Sequence, residues 1–351
     1  MRGALAGLLF LTACSPAAPV ETTSEPPSST IQAPTTTTTI PADDPVLSDK
    51  AAEYLDAALA AMRQHSINRD VVDWAEIESR AYQAADGATQ PADTYNAIRV
   101  ALSDLKDRHS IFLTPADAGS FRGTAQFEEP VVERRDDGIG YIQFGGYMGD
   151  IGAQADAYAT DLAARISAIA PESCGWIVDL RRNSGGNMWP MIAGLVPVLG
   201  TGAVGSFVYP DGRDEPWELA DGVAWWDGSP MVSYGVDAEG SETRPTGVLI
   251  GGATASSGEA VTVAFHGADE VRMFGYPTEG LTTANEPVDL ADGAILILTM
   301  SVFTDRNGVE FGINLPVEPD ETVGEFRSAS GHEVIDRAAE WLLAHPDCAS
   351  A

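Results

Sequence analysis

Apolar positions recur at helical spacing from Ser48 onward, with Ala51, Tyr54, Leu55, Ala58, Leu59 and Met62 on one face of a 3.6-residue period. A second helix start is expected at Asp73-x-x-Glu76. A third helix is predicted over residues 94–105, where Tyr95, Ile98, Leu102 and Leu105 form one stripe. Beyond residue 139 the pattern changes. Short apolar runs at 139–144, 176–180, 248–250, 271–274 and 294–301 predict strands. Longer amphipathic stretches at 151–169, 188–199, 257–266 and 333–344 predict helices. Strand and helix alternate as in an α/β domain. The expected organisation is a small helical subdomain over 46–120 and an α/β domain over 121–351. Residues 207–243, rich in Gly, Asp, Pro and Trp, are expected to hold loops or a hairpin.

The first 45 residues follow neither period. Met1-Arg2 precedes a short apolar run to Ala13, an export-signal pattern too short to span a bilayer. It ends Leu11-Thr12-Ala13-Cys14, which resembles a bacterial lipobox, so residues 1–14 are expected to be a lipoprotein signal with Cys14 as the lipid-bearing N-terminus. An ordinary cleaved signal is the alternative. Residues 15–45 are Thr, Pro and Ser with almost no large apolar side chain, and cannot bury enough surface to fold. Held extended, roughly 30 residues at about 3.1 Å each would make a tether on the order of 90 Å long. The expected location is the extracytoplasmic face of a bacterial cell membrane.

Composition narrows the function. Lys and Arg number 20 against 52 Asp and Glu, a net charge of −32, so a nucleic-acid phosphate backbone would be repelled. With 44% hydrophobic residues there is ample material for a core. No H-E-x-x-H, C-x-x-C or EF-hand loop is present, and neither metal nor cofactor is expected. Cys174 and Cys348 remain after Cys14; in an oxidising compartment they could pair, or stay as a buried thiol and a loose one.

Two stretches carry candidate chemistry. Residues 246–267 read strand, tight turn, helix, with Ser256 at the helix start, where unpaired N–H groups and the helix dipole favour negative charge. Ser256-Ser257-Gly258-Glu259 also fits a capping box, a purely structural role. The second stretch, Asp179-Leu180-Arg181-Arg182-Asn183-Ser184-Gly185-Gly186-Asn187, closes a strand with a glycine-rich turn. It lacks the Lys-Ser or Lys-Thr of a phosphate loop. A plain turn with Asp179 paired to Arg181 is its structural reading.

Together with Gly275-Tyr276-Pro277-Thr278-x-Gly280 downstream, these motifs resemble the C-terminal processing, or tail-specific, serine peptidases over about residues 46–325. The resemblance implies a crotonase-like and ClpP-like spiral of β-β-α units, Ser256 as nucleophile, and N–H groups of Gly186 and Ser257 as the oxyanion site. Many members carry a Lys base one residue after the last glycine; here that place is Leu281, and the only lysines are Lys50 and Lys106. The chain therefore is similar to the tricorn-core branch, which uses a His far upstream. The corresponding residue is His109, an imidazole with an ordinary pKa of ~6.5 suited to proton transfer at neutral pH. His65, His266, His332 and His345 are worse placed in sequence. For the residue orienting the imidazole the pattern gives Glu310, with Asp305 as rival. Only residues 114–135 separate the His109 loop from the next strand, too few for the PDZ insert common in the family.

The expected function is a serine endopeptidase acting on extracytoplasmic protein or peptide substrates through an acyl-enzyme, tied to the membrane by its lipid. A non-catalytic ligand-binding protein on the same scaffold, like the retinoid-binding relatives, and an esterase are the alternatives.

Overall fold

The computed structural model describes residues 45–121, 125–236, 244–324 and 331–349; the expected lipid-bearing Cys14 and the Thr/Pro-rich tether lie outside them. The strands are β1 (Ile111–Leu113), β2 (Val131–Arg134), β3 (Gly140–Gln143), β4 (Trp176–Asp179), β5 (Gly202–Val208), β6 (Asp214–Ala220), β7 (Val223–Trp226), β8 (Ser229–Ser233), β9 (Thr246–Ile250), β10 (Val271–Gly275), β11 (Thr283–Asp289), β12 (Ile295–Asp305) and β13 (Glu321–Thr322). They form two sheets.

One sheet runs β13-β10-β9-β4-β3-β2, parallel throughout except for β2 at its edge. Its central strands read as unbroken apolar runs because both faces are covered. In β9, Val248 and Ile250 point into the main core while Leu249 points into a second cluster with Ile177, Phe274, Ala338 and Leu342. The helices Ala153–Ile169, Met188–Gly194 and Ser257–Phe265 supply buried side chains to the main core, and His332–Leu343 covers the opposite face. Cys174 and Cys348 are joined as a disulfide that clips the end of the chain beside this second cluster.

The other sheet is antiparallel, in the order β1-β12-β5-β6-β7-β8 with β11 also on β12. Within the stretch expected to be loops or a hairpin, the described residues 207–236 hold most of a strand meander. Its tight turns are Asp221-Gly222 and Asp227-Gly228, with φ of 51° and 77° and of 44° and 75°. Positive φ at both central residues is the two-residue hairpin geometry that matches strand twist, and Asp-Gly is among the dipeptides that favour it.

The helices Asp49–His65, Trp74–Ala84 and Tyr95–Asp104 appear where the apolar stripes predict them. Leu55, Met62 and Ile98 are buried in the same core cluster as Leu296 and Leu298 of β12. Tyr54 and Tyr95 both donate to the Asp292 carboxylate, at 2.7 and 2.5 Å, and Ile67 N–H donates to Thr299 O at 2.8 Å. These bonds tie the helical segment to β12 and to the turn that precedes it.

Candidate active site

Ser256 stands between β9 and the helix Ser257–Phe265. The turn leading to it is held by Thr254, fully buried, whose hydroxyl donates to Leu180 O at 2.9 Å and accepts from Gly251 N–H at 3.1 Å. Ala255 N–H donates to Asn183 O at 3.0 Å. The turn is thereby tied to the loop that follows β4.

Ser256 itself has φ 53° and ψ −120°. A non-glycine residue there is strained by of order 1–3 kcal/mol, a conformation that persists only when the surroundings impose it and that clusters at functional sites. The surroundings here are specific. Ser256 N–H donates to Glu259 Oε2 at 2.9 Å, the capping-box contact expected from sequence. Glu259 is fully buried and accepts three further bonds, from Thr278 Oγ1, Gly280 N–H at 2.8 Å and Leu281 N–H at 2.7 Å. Burial pushes this carboxyl up from the ordinary value, against the pull of its four donors. Glu259 thus binds the Ser256 turn to residues 278–281. Leu281 contributes its backbone N–H to this clamp.

The Ser256 hydroxyl is 2.9 Å from His109 Nε2. The His109 loop is built around Asp107, which accepts from His109 N–H at 3.1 Å, Ser110 N–H at 2.6 Å, Ser110 Oγ at 3.0 Å and Thr299 Oγ1 at 2.9 Å. Asn285 Nδ2 donates to His109 O at 2.8 Å, and Arg108 reaches away to Glu279. Burial pushes the His109 imidazole down to about 4, with the Asp107 carboxylate opposing. The ring is therefore neutral across the physiological range, the form a general base requires.

Gly185 and Gly186 lie against the Ser256 turn with φ of 110° and 112°. A Cβ on Gly185 would sit 2.8 Å from Ser256 Cβ, and one on Gly186 only 2.1 Å from Tyr147 O. The approach thus depends on both glycines. Ser257 Oγ donates to Gly186 O, which locks the two expected oxyanion residues together. Neither the Gly186 nor the Ser257 N–H donates to a backbone carbonyl in the turn and loop hydrogen bonds of the described residues. The Asp179–Arg181 pair, at 2.6 Å and buried, holds the end of β4, as its structural reading has it.

The residues expected to orient the imidazole are elsewhere. Glu310 is exposed and bridges to Thr304 where the chain folds back along β12. Asp305 accepts from or pairs with His266 Nδ1 at 2.7 Å, a different imidazole. What faces His109 Nδ1, at 2.8 Å, is the hydroxyl of Thr283. Sequence reasoning missed Thr283 and the clamp made by Glu259. A buried hydroxyl has no spacing signature, whereas the Glu259 clamp was visible as half of a capping box.

The sequence profile of peptidase family S41 matches residues 138–323, which include Gly186, Ser256 and Ser257 but not His109. The chain is 28% identical over 290 residues to the nisin-resistance protein of Lactococcus lactis subsp. lactis, covering 83% of this chain and 86% of that one. It is 26% identical over 188 residues to the carboxy-terminal processing protease CtpA of Bacillus subtilis, covering 53% of this chain and 35% of the relative. A lipoprotein from Streptococcus agalactiae has the same fold, with a TM-score of 0.68 at 22% identity over 85% of this chain and 97% of that one. A profile match spanning more than half of the chain, on a mixed α/β scaffold shared with such proteins, makes this chain a member of peptidase family S41.

Proposed function

We propose that this S41 peptidase is a serine endopeptidase that cleaves extracytoplasmic protein or peptide substrates through an acyl-enzyme. The observation that carries the reading is the 2.9 Å contact between Ser256 Oγ and His109 Nε2, made by a serine held in a strained backbone conformation at a helix start. In the proposed reaction Ser256 Oγ attacks the peptide carbonyl carbon while His109 Nε2 takes its proton. The carbonyl oxygen becomes an oxyanion and is met by the N–H groups of Gly186 and Ser257. Collapse expels the amine, which receives the proton from His109. Water then attacks the ester by the same route.

For location, the reading is export with attachment through a lipid on Cys14. The Cys174–Cys348 disulfide supports it, because such bonds persist in oxidising compartments. The relative named for nisin resistance makes nisin a substrate to try beside an unfolded protein such as casein. The test is hydrolysis of both by the purified chain and by Ser256→Ala and His109→Ala variants of unchanged thermal stability. Loss in both variants is expected. Cleavage that survives Ser256→Ala removes the nucleophile from the account, and activity on short acyl esters alone would make the chain an esterase.

A further inference from the structure

We propose that Thr283 is the positioning residue of the His109 base, setting its tautomer with a hydroxyl where an orienting carboxylate was expected. The inference rests on the reading of His109 as the base. Its ring lies between two hydroxyls, Ser256 Oγ at 2.9 Å from Nε2 and Thr283 Oγ1 at 2.8 Å from Nδ1. Nε2 can take a proton from Ser256 only if its lone pair is free, so the ring hydrogen must sit on Nδ1. That hydrogen needs an acceptor. Thr283 Oγ1 is the group in place, and it is held firmly. Thr283 is the first residue of β11, paired to Val302 of β12, with a buried, β-branched side chain of restricted χ1.

The charged groups around the ring leave this role to Thr283. Asp107, on the same loop, accepts from His109 N–H, Ser110 and Thr299 and makes no hydrogen bond to the ring. Glu259, at the head of the neighbouring helix, is engaged by Ser256, Thr278, Gly280 and Leu281. Arg108 is turned onto Glu279. A carboxylate on Nδ1 would fix the tautomer and also stabilise the imidazolium formed during attack. A hydroxyl does only the first. The base is then a weak one, and it loses its orientation when the hydroxyl is removed.

The experiment compares Thr283→Val, Thr283→Ser and Thr283→Asp with the wild-type enzyme on one peptide substrate, with thermal unfolding as a control. For Thr283→Val, kcat is expected to fall roughly 100-fold or more with KM nearly unchanged, the lower end of what general acid–base catalysis contributes. Nitrogen NMR of the His109 ring should show its hydrogen moving from Nδ1 toward Nε2. Thr283→Ser should restore both kcat and the tautomer. Thr283→Asp should raise the acid limb of the pH profile by at least ~1 unit, because a carboxylate favours the charged ring. An unchanged kcat and tautomer in Thr283→Val, with His109→Ala inactive, would overturn the positioning role and leave the base intact. An active His109→Ala would remove the base itself.

Discussion

Desolvation of the partly buried His109 ring has a thermodynamic consequence that can be read without a substrate. Its imidazole ionises near 6.5 when unfolded and is pushed down to about 4 when folded. Between those values the unfolded chain holds a proton that the folded one refuses, so stability falls as pH falls. The contribution is fully present above pH ~6.5 and is lost by pH ~4. At 1.36 kcal/mol per unit the loss over the whole window is about 3 kcal/mol. The assay is urea unfolding at pH 7 and at pH 4.5, for wild type and for His109→Gln. Acidic side chains titrate in the same range, but they are common to both proteins and cancel in the difference. Wild type should lose about 2–3 kcal/mol more than His109→Gln between the two pH values. Equal losses would mean that the ring is solvated in both states, and the description of His109 as a partly buried, desolvated base would be wrong.

Other changes bear on the remaining parts of the site. Gly186→Ala brings a Cβ to 2.1 Å from Tyr147 O, so the loop must move; kcat should drop by ~100- to 1,000-fold, the usual effect of losing one oxyanion donor. A smaller change in kcat would exclude the Gly186 N–H from that role. Glu259→Gln keeps the shape but turns an amide toward backbone donors, leaving at least one buried N–H unpaired. Chemical denaturation should show a loss of roughly 2–3 kcal/mol, and an unperturbed midpoint would contradict the clamp. Cys348→Ser opens a link between residues 174 apart in sequence. Chain entropy predicts a loss of up to roughly 5 kcal/mol, seen as a lower urea midpoint. If the midpoint is the same, the disulfide does not form in solution.

Much of this was legible in the sequence. The parallel strands announced themselves as apolar runs because both faces of β4 and β9 are covered. Ser256 and Gly186 stood out through the resemblance of their motifs to the tail-specific serine peptidases, since spacing alone fits a capping box and a plain strand-to-helix turn equally well. The meander from β5 to β8 was legible only as loops or a hairpin, because Gly, Asp and Pro serve both, and the number of strands between the Asp-Gly turns has no strong periodic signal. The choice of Glu310 failed for a different reason. Which side chain faces Nδ1 depends on how β11 and β12 pair, and no spacing along the chain encodes that register. The strained φ of Ser256 was likewise invisible. It arises from Glu259, Asn183 and Leu180, which converge on the turn only after the sheet has formed.

The central claim is that a Ser256 hydroxyl activated by His109 is the nucleophile. Its most direct test is the mass of the protein after reaction with a fluorophosphonate, with the adduct located by peptide mapping and its rate compared in His109→Ala. One adduct on the peptide containing Ser256, formed far more slowly without His109, is the predicted result. An adduct on another residue, or an equal rate without the imidazole, would contradict it.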